Sequence, residues 1–95
     1  MKSKNIFNDD EISILYFSID KYTHFKMYAL SVDLTQNLIL SSLNKLENIS
    51  PQTTFTKQEY TILYLAVTLC IDTLTDELLP YGILKLQKKL NMLAS

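Results

Sequence analysis

Apolar residues recur along this chain at spacings of three and four, and they fall into four stretches. The first begins after Asn8 and runs to about Ser31, with Ile12, Leu15, Tyr16, Ile19, Tyr22, Met27 and Leu30 on one stripe. That is the i, i+3, i+4, i+7 signature of a helix burying one face, interrupted only by Lys26. The second runs from Leu34 to about Ile49 and lines Leu38, Ile39, Ser42, Leu43, Leu46 and Ile49. Ser50-Pro51 ends it, because proline disfavours helix in the residue before it, and residues 50 to 55 read as a loop. The third runs from Lys57 to about Leu79 with Tyr60, Leu63, Tyr64, Val67, Cys70, Ile71, Leu74 and Leu78 on its stripe. Pro80-Tyr81-Gly82 then breaks the chain. The fourth, Ile83 to Ala94, carries a narrow stripe of Ile83, Leu86, Leu90 and Leu93, with Lys85, Lys88 and Lys89 elsewhere on its surface.

Two of these stretches open alike. Phe7-Asn8-Asp9-Asp10-Glu11-Ile12 and Phe55-Thr56-Lys57-Gln58-Glu59-Tyr60 stand 48 residues apart. In each, a side-chain oxygen at the N-cap (Asn8, Thr56) is followed three residues later by a glutamate, a capping box. An apolar pair across it (Phe7 with Ile12, Phe55 with Tyr60) has hydrophobic-staple spacing. Five of the thirteen positions in 7–19 and 55–67 are identical. Asp33 with Gln36 supplies a further capping box for the second helix. The expected fold is all-α: one domain over residues 1–95, built as two antiparallel helical hairpins (about 8–49 and 56–94), whose likeness at an offset of 48 reads either as an internal repeat or as convergence of two capped amphipathic helices. The rival, one unbroken helix from Asn8 to Ile49, would span about 60 Å and find no partner inside so short a chain.

Composition narrows the function. The chain is 47% hydrophobic with one glycine and two prolines, too apolar for disorder and too poor in turn residues for a β-sandwich. Its net charge is −1, and all nine basic residues are lysines. Without arginine it lacks the side chain that most often reads guanine and grips phosphate at two points, so nucleic-acid binding is disfavoured. The bias toward Asn, Ile, Lys and Tyr suits an AT-rich bacterial or phage genome. Cys70 is the single cysteine, so no intrachain disulfide can form. Asn8, Asp9, Asp10 and Glu11 interrupt any secretory signal, and Asp72, Asp76 and Glu77 interrupt the most apolar window, so no membrane span is expected. The reading is of a cytoplasmic protein.

Catalytic and cofactor chemistry has little to work with. Gly82 is the only glycine, so there is no phosphate-binding loop, and no cofactor is expected. His24 and Asp20 share a helix face, as do Asp72 and Asp76, but the Glu-x-x-His pattern of di-iron bundles is missing. Cys70 falls on a core stripe, where a thiol acts as a small hydrophobe. The run Leu34-Thr35-Gln36-Asn37-Leu38 resembles the opening of a helix-turn-helix, but no glycine turn or arginine-bearing helix follows.

The feature that points to function is a second apolar stripe. Ile14, Phe17, Phe25 and Tyr28 lie roughly opposite the first stripe of helix one, and Ile62, Leu65 and Leu69 do the same on helix three. Helices apolar on two sides are buried on two sides. Either helices one and three cross at the domain centre, or part of this surface meets another chain. Phe25 and Tyr28 align with the polar Thr73 and Asp76, which makes that end the better interface. The expected function is therefore a non-enzymatic protein-interaction or regulatory module, binding another protein or itself as a homodimer. The alternative is a dimeric DNA-binding protein using the lysines of helix four.

Overall fold

The computed structural model describes residues 5–26 and 33–95, apart from the side chains of residues 25, 26 and 33–35. It contains four α-helices: α1 (Asp9–Lys26), α2 (Asp33–Glu47), α3 (Lys57–Thr73) and α4 (Ile83–Ala94), with a short 3-10 turn at Asp76–Leu78. No strand occurs among the described residues. The all-α class follows from the apolar periodicity, and each of the four stretches becomes a helix.

Both opening signals fold as capping boxes. The Asn8 amide donates to Glu11 Oε1 at 2.9 Å and the Glu11 amide donates to Asn8 Oδ1 at 2.8 Å. At α3 the Thr56 amide donates to Glu59 Oε1 at 2.7 Å and the Glu59 amide to Thr56 Oγ1 at 3.1 Å. Each exchange satisfies two amides that a helix start leaves without partners.

Helix α1 lies alongside α3 and parallel to it. Phe7 meets Phe55 edge-on at one end, with ring centroids 5.5 Å apart, and the Cys70 thiol reaches the Ser18 carbonyl farther along. Helix α2 runs the other way, because Ser41 and Lys45 near its C-terminal end contact Glu59 at the start of α3. Helix α2 is therefore antiparallel to α3, and hence to α1; the link through which an unbroken helix from 8 to 49 would run lies outside the described residues. Helix α4 is likewise antiparallel to α1, with Gly82 beside Ile14 and Lys89 beside Glu11. Helix α3 is the central element, packing on α1, α4 and α2, while α1 touches α2 and α4 more lightly among the described residues.

The buried positions repeat. In α1 they are Ile14, Leu15, Ser18, Ile19 and Tyr22; in α3, besides Glu59, they are Ile62, Leu63, Ala66, Val67 and Cys70, each 48 residues on. In α2 and α4 they are Ile39, Ser42 and Leu46 against Ile83, Leu86 and Leu90, here 44 residues on. The spacing from Cys70 to Ile83 is thus four residues, about one helical turn, shorter than that from Tyr22 to Ile39.

Two boundaries differ from expectation, and a third falls on residues outside the description. The first helix was expected to reach Ser31; it is described to Lys26, and the remainder lies outside the described residues. Helix α2 closes at Glu47 rather than Ile49, where Ser50 and Thr53 bond to one another in a turn. Helix α3 ends at Thr73 rather than Leu79, with Leu74 extended (φ −100°, ψ 150°). Two threonines and two aspartates between 72 and 76 explain the early stop: β-branched residues and short polar side chains favour non-helical backbone, and acids oppose the dipole at a C-terminus. As a result Leu78, expected on the buried stripe, is 63% exposed. Gly82 precedes α4 in the left-handed region at φ 89°, a conformation that glycine adopts without a Cβ penalty.

Candidate functional site

One end of the molecule is a closed electrostatic device. Phe7 and Phe55, buried just ahead of α1 and α3, pack on each other and on Tyr60. An ammonium sits over each phenylalanine: Lys89 Nζ is 5.1 Å from the Phe7 ring centre and Lys45 Nζ is 5.5 Å from that of Phe55, within cation–π range. The same two lysines pair with the two capping glutamates. Lys45 Nζ lies 2.5 Å from Glu59 Oε1, and Lys89 Nζ lies 3.0 Å from Glu11 Oε1. Lys89 also donates to the Ile6 carbonyl at 2.5 Å.

The pairing is crossed. Lys45 belongs to the first half of the chain and serves the glutamate of the second; Lys89 belongs to the second half and serves that of the first. The two lysines are related by the 44-residue offset and the two glutamates by 48. Glu59 is the more enclosed carboxylate, 2% exposed, and the Ser41 hydroxyl also donates to it. Burial pushes its carboxyl up. Hydrogen bonds from Lys45, Ser41 and the Thr56 amide, with the Lys45 charge, outweigh burial and hold it below the ordinary glutamate value. An open cleft of about 560 Å³ lies beside this end, lined by Asn5, Ile6, Asn8, Asp9 and the Glu11–Lys89 pair. Its charged pair is mutually satisfied.

The residues selected from sequence as an interface separate in space. Ile14 and Ile62 are buried within the chain and belong to its core. Phe17 is half-buried, with Lys21 Nζ 5.5 Å above its ring. Leu69 is half-buried against the core, and Leu65 is 44% exposed. Tyr28 and the side chain of Phe25 lie outside the described residues. Leu65 and Leu69 do come together with Tyr22, Thr68 and Asp72, around a surface hollow of about 230 Å³ between α1 and α3.

Sequence reasoning missed a second exposed region. Tyr81 is fully exposed, Leu84 is 58% exposed and Met92 76%. A signal was available, since Leu84 and Met92 are large apolar residues off the Ile83–Leu86–Leu90 stripe of a short helix. The role of Lys89 had no local signal, because its partner Glu11 is 78 residues away.

Cys70 is buried, and burial pushes its thiol up. His24 and Asp20 lie on the exposed side of α1, and no three His, Cys, Asp or Glu side chains gather into a potential metal site among the described residues. No described helix is long and apolar enough to cross a membrane.

The described residues are all-helical, with a buried core and large apolar side chains left at the surface. No known protein family, curated protein or solved structure matches this chain.

Proposed function

We propose that this chain is a non-enzymatic protein-interaction module that binds a helical segment of another protein through the hollow between α1 and α3. The observation that carries this reading is Leu65, a large aliphatic side chain 44% exposed at the edge of a hollow it forms with Leu69 and Tyr22. An exposed apolar surface of this kind, rimmed by polar groups such as Thr68 and Asp72, is characteristic of protein contacts, and a hollow between two helices suits a third amphipathic helix. The alternative, DNA binding through α4, retains only Lys85 and Lys88, because Lys89 is engaged by Glu11 and the Ile6 carbonyl. Two lysines supply a small share of the phosphate contacts that duplex binding rests on.

Selection of helical peptides from a random display library against the full chain tests the proposal. Peptides recovered on the native protein should lose binding at least about tenfold on Leu65→Arg, while the circular dichroism melt stays within a few degrees of wild type. Failure to recover any peptide, or peptides indifferent to Leu65→Arg, overturns it.

A further inference from the structure

We infer that residues 76–92 form a self-complementary face through which two copies of this chain associate about a two-fold axis. This deepens the interaction reading by naming a partner, and it uses residues separate from the Leu65 hollow, so either can fail alone.

Four of the six large hydrophobic side chains exposed among the described residues fall in this one stretch: Leu78, Tyr81, Leu84 and Met92. They are not strays from a loose element. Ile83, Leu86 and Leu90 anchor α4 firmly in the core, so Leu84, Lys88 and Met92, at i, i+4 and i+8, form a stable outward line along it.

The charges around these apolar groups are sorted by sign. Exposed Asp76 and Glu77 precede Leu78, Tyr81 and Leu84; exposed Lys85 and Lys88 follow those three, ahead of Met92, on a helix that contains no acid. None of the four forms an ion pair with another described residue. An isologous interface places one patch against the same patch reversed. With the axis near Tyr81 and Leu84, the acidic end of one copy meets the basic end of the other, and the apolar centres bury each other. Other partners fit less well. An anionic bilayer or a nucleic acid would be repelled by Asp76 and Glu77, and a purely acidic peptide would leave those two acids unanswered. A second copy carries both signs in the required order. The face is short, since α4 spans only about 18 Å, so the dimer belongs to the weak, concentration-dependent class.

Sedimentation equilibrium of the full chain, from low micromolar to near-millimolar concentration, tests this. The mass should rise from 11.0 kDa toward twice that value, less readily at high salt. Lys85→Glu with Lys88→Glu, and separately Asp76→Lys with Glu77→Lys, should each weaken association at least about tenfold by setting like charges opposite one another. An equimolar mixture of the two variants should associate again, and Leu84→Ser in both chains should abolish that association, which separates docking from general attraction of opposite charges. Unchanged melting curves establish that the variants fold. A monomer at every concentration overturns the proposal, as does a dimer indifferent to charge reversal or a mixture that stays monomeric. Binding of the monomer to anionic vesicles without self-association would give this face to a lipid surface and equally overturn it. A dimer that survives Leu65→Arg shows the two surfaces to be independent.

Discussion

Two serines carry an energetic cost at the scale of single residues. Ser18 and Ser42 are fully buried, and neither hydroxyl has a hydrogen-bond partner among the described residues. A buried polar group left unpaired costs about 1–3 kcal/mol, so what these positions require is smallness rather than polarity. Position 66, which matches Ser18 at the 48-residue offset, is alanine and equally enclosed. Ser18→Ala should therefore stabilise the protein by roughly 1 kcal/mol and raise the midpoint of a thermal melt by about 4–8 °C for a domain this size. A lowered midpoint would mean that the hydroxyl has a partner after all. Cys70 closes the same helix contact from the other side, its thiol resting on the Ser18 carbonyl.

At the scale of elements, the two lysine–glutamate pairs hold different helices and should not be equally costly to break. Lys45 ties α2 to α3 through a carboxylate that is 2% exposed; Lys89 ties α4 to α1 through one that is 19% exposed. Removing one partner of an enclosed pair strands a buried charge, whereas the more hydrated pair falls nearer the small values of surface ion pairs. Lys45→Met should thus lower stability by about 1–3 kcal/mol and Lys89→Met by about half as much, measured by urea unfolding. Equal losses would show that the ring contacts of the two lysines, rather than their carboxylates, set the energy. This scale also marks where the sequence is readable and where it is not. Caps, helix count and the all-α class rest on neighbours three and four residues apart, and these were legible. The expected stripes of α1 and α3 were displaced. The buried arc runs through Ile14, Leu15 and Ser18 rather than Ile12 and Tyr16, because parallel packing of α1 on α3 places the contact between the two apolar stripes. Which residues lie outermost depends on the crossing of whole helices, so Ile14 and Ile62 could not be told from Leu65 by spacing alone.

For the whole molecule, Glu59 links stability to pH. Its carboxyl titrates below the ordinary value of 4.5 when folded, so the stability it provides is complete above that value and is lost as pH falls through the folded pKa. Acid unfolding should accordingly begin below about pH 4.5. Lys45→Met, by raising the folded pKa, should move the transition toward higher pH. An acid titration followed by circular dichroism decides this, and a midpoint unmoved by Lys45→Met would assign acid unfolding to other carboxylates. The long-range pairs were the part of this architecture hidden from sequence reading, because a lysine on a helix surface gives no sign of which distant carboxylate it will meet.

The crossing of those pairs has a consequence for how the chain is made. Lys89 grips the Ile6 carbonyl and Glu11, partners 83 and 78 residues behind it. A polypeptide growing from its N-terminus cannot close that contact until position 89 has been added and has left the ribosome. Until then Phe7 has no ammonium above its ring and the glutamate of α1 has no counter-charge. Lys45, by contrast, waits only for residue 59 to appear. Synthesis therefore completes the two locks in a set order, the α2–α3 lock first. Phe7 and Glu11 are thus secured only when α4 arrives, after α2 and α3 already have their own lock.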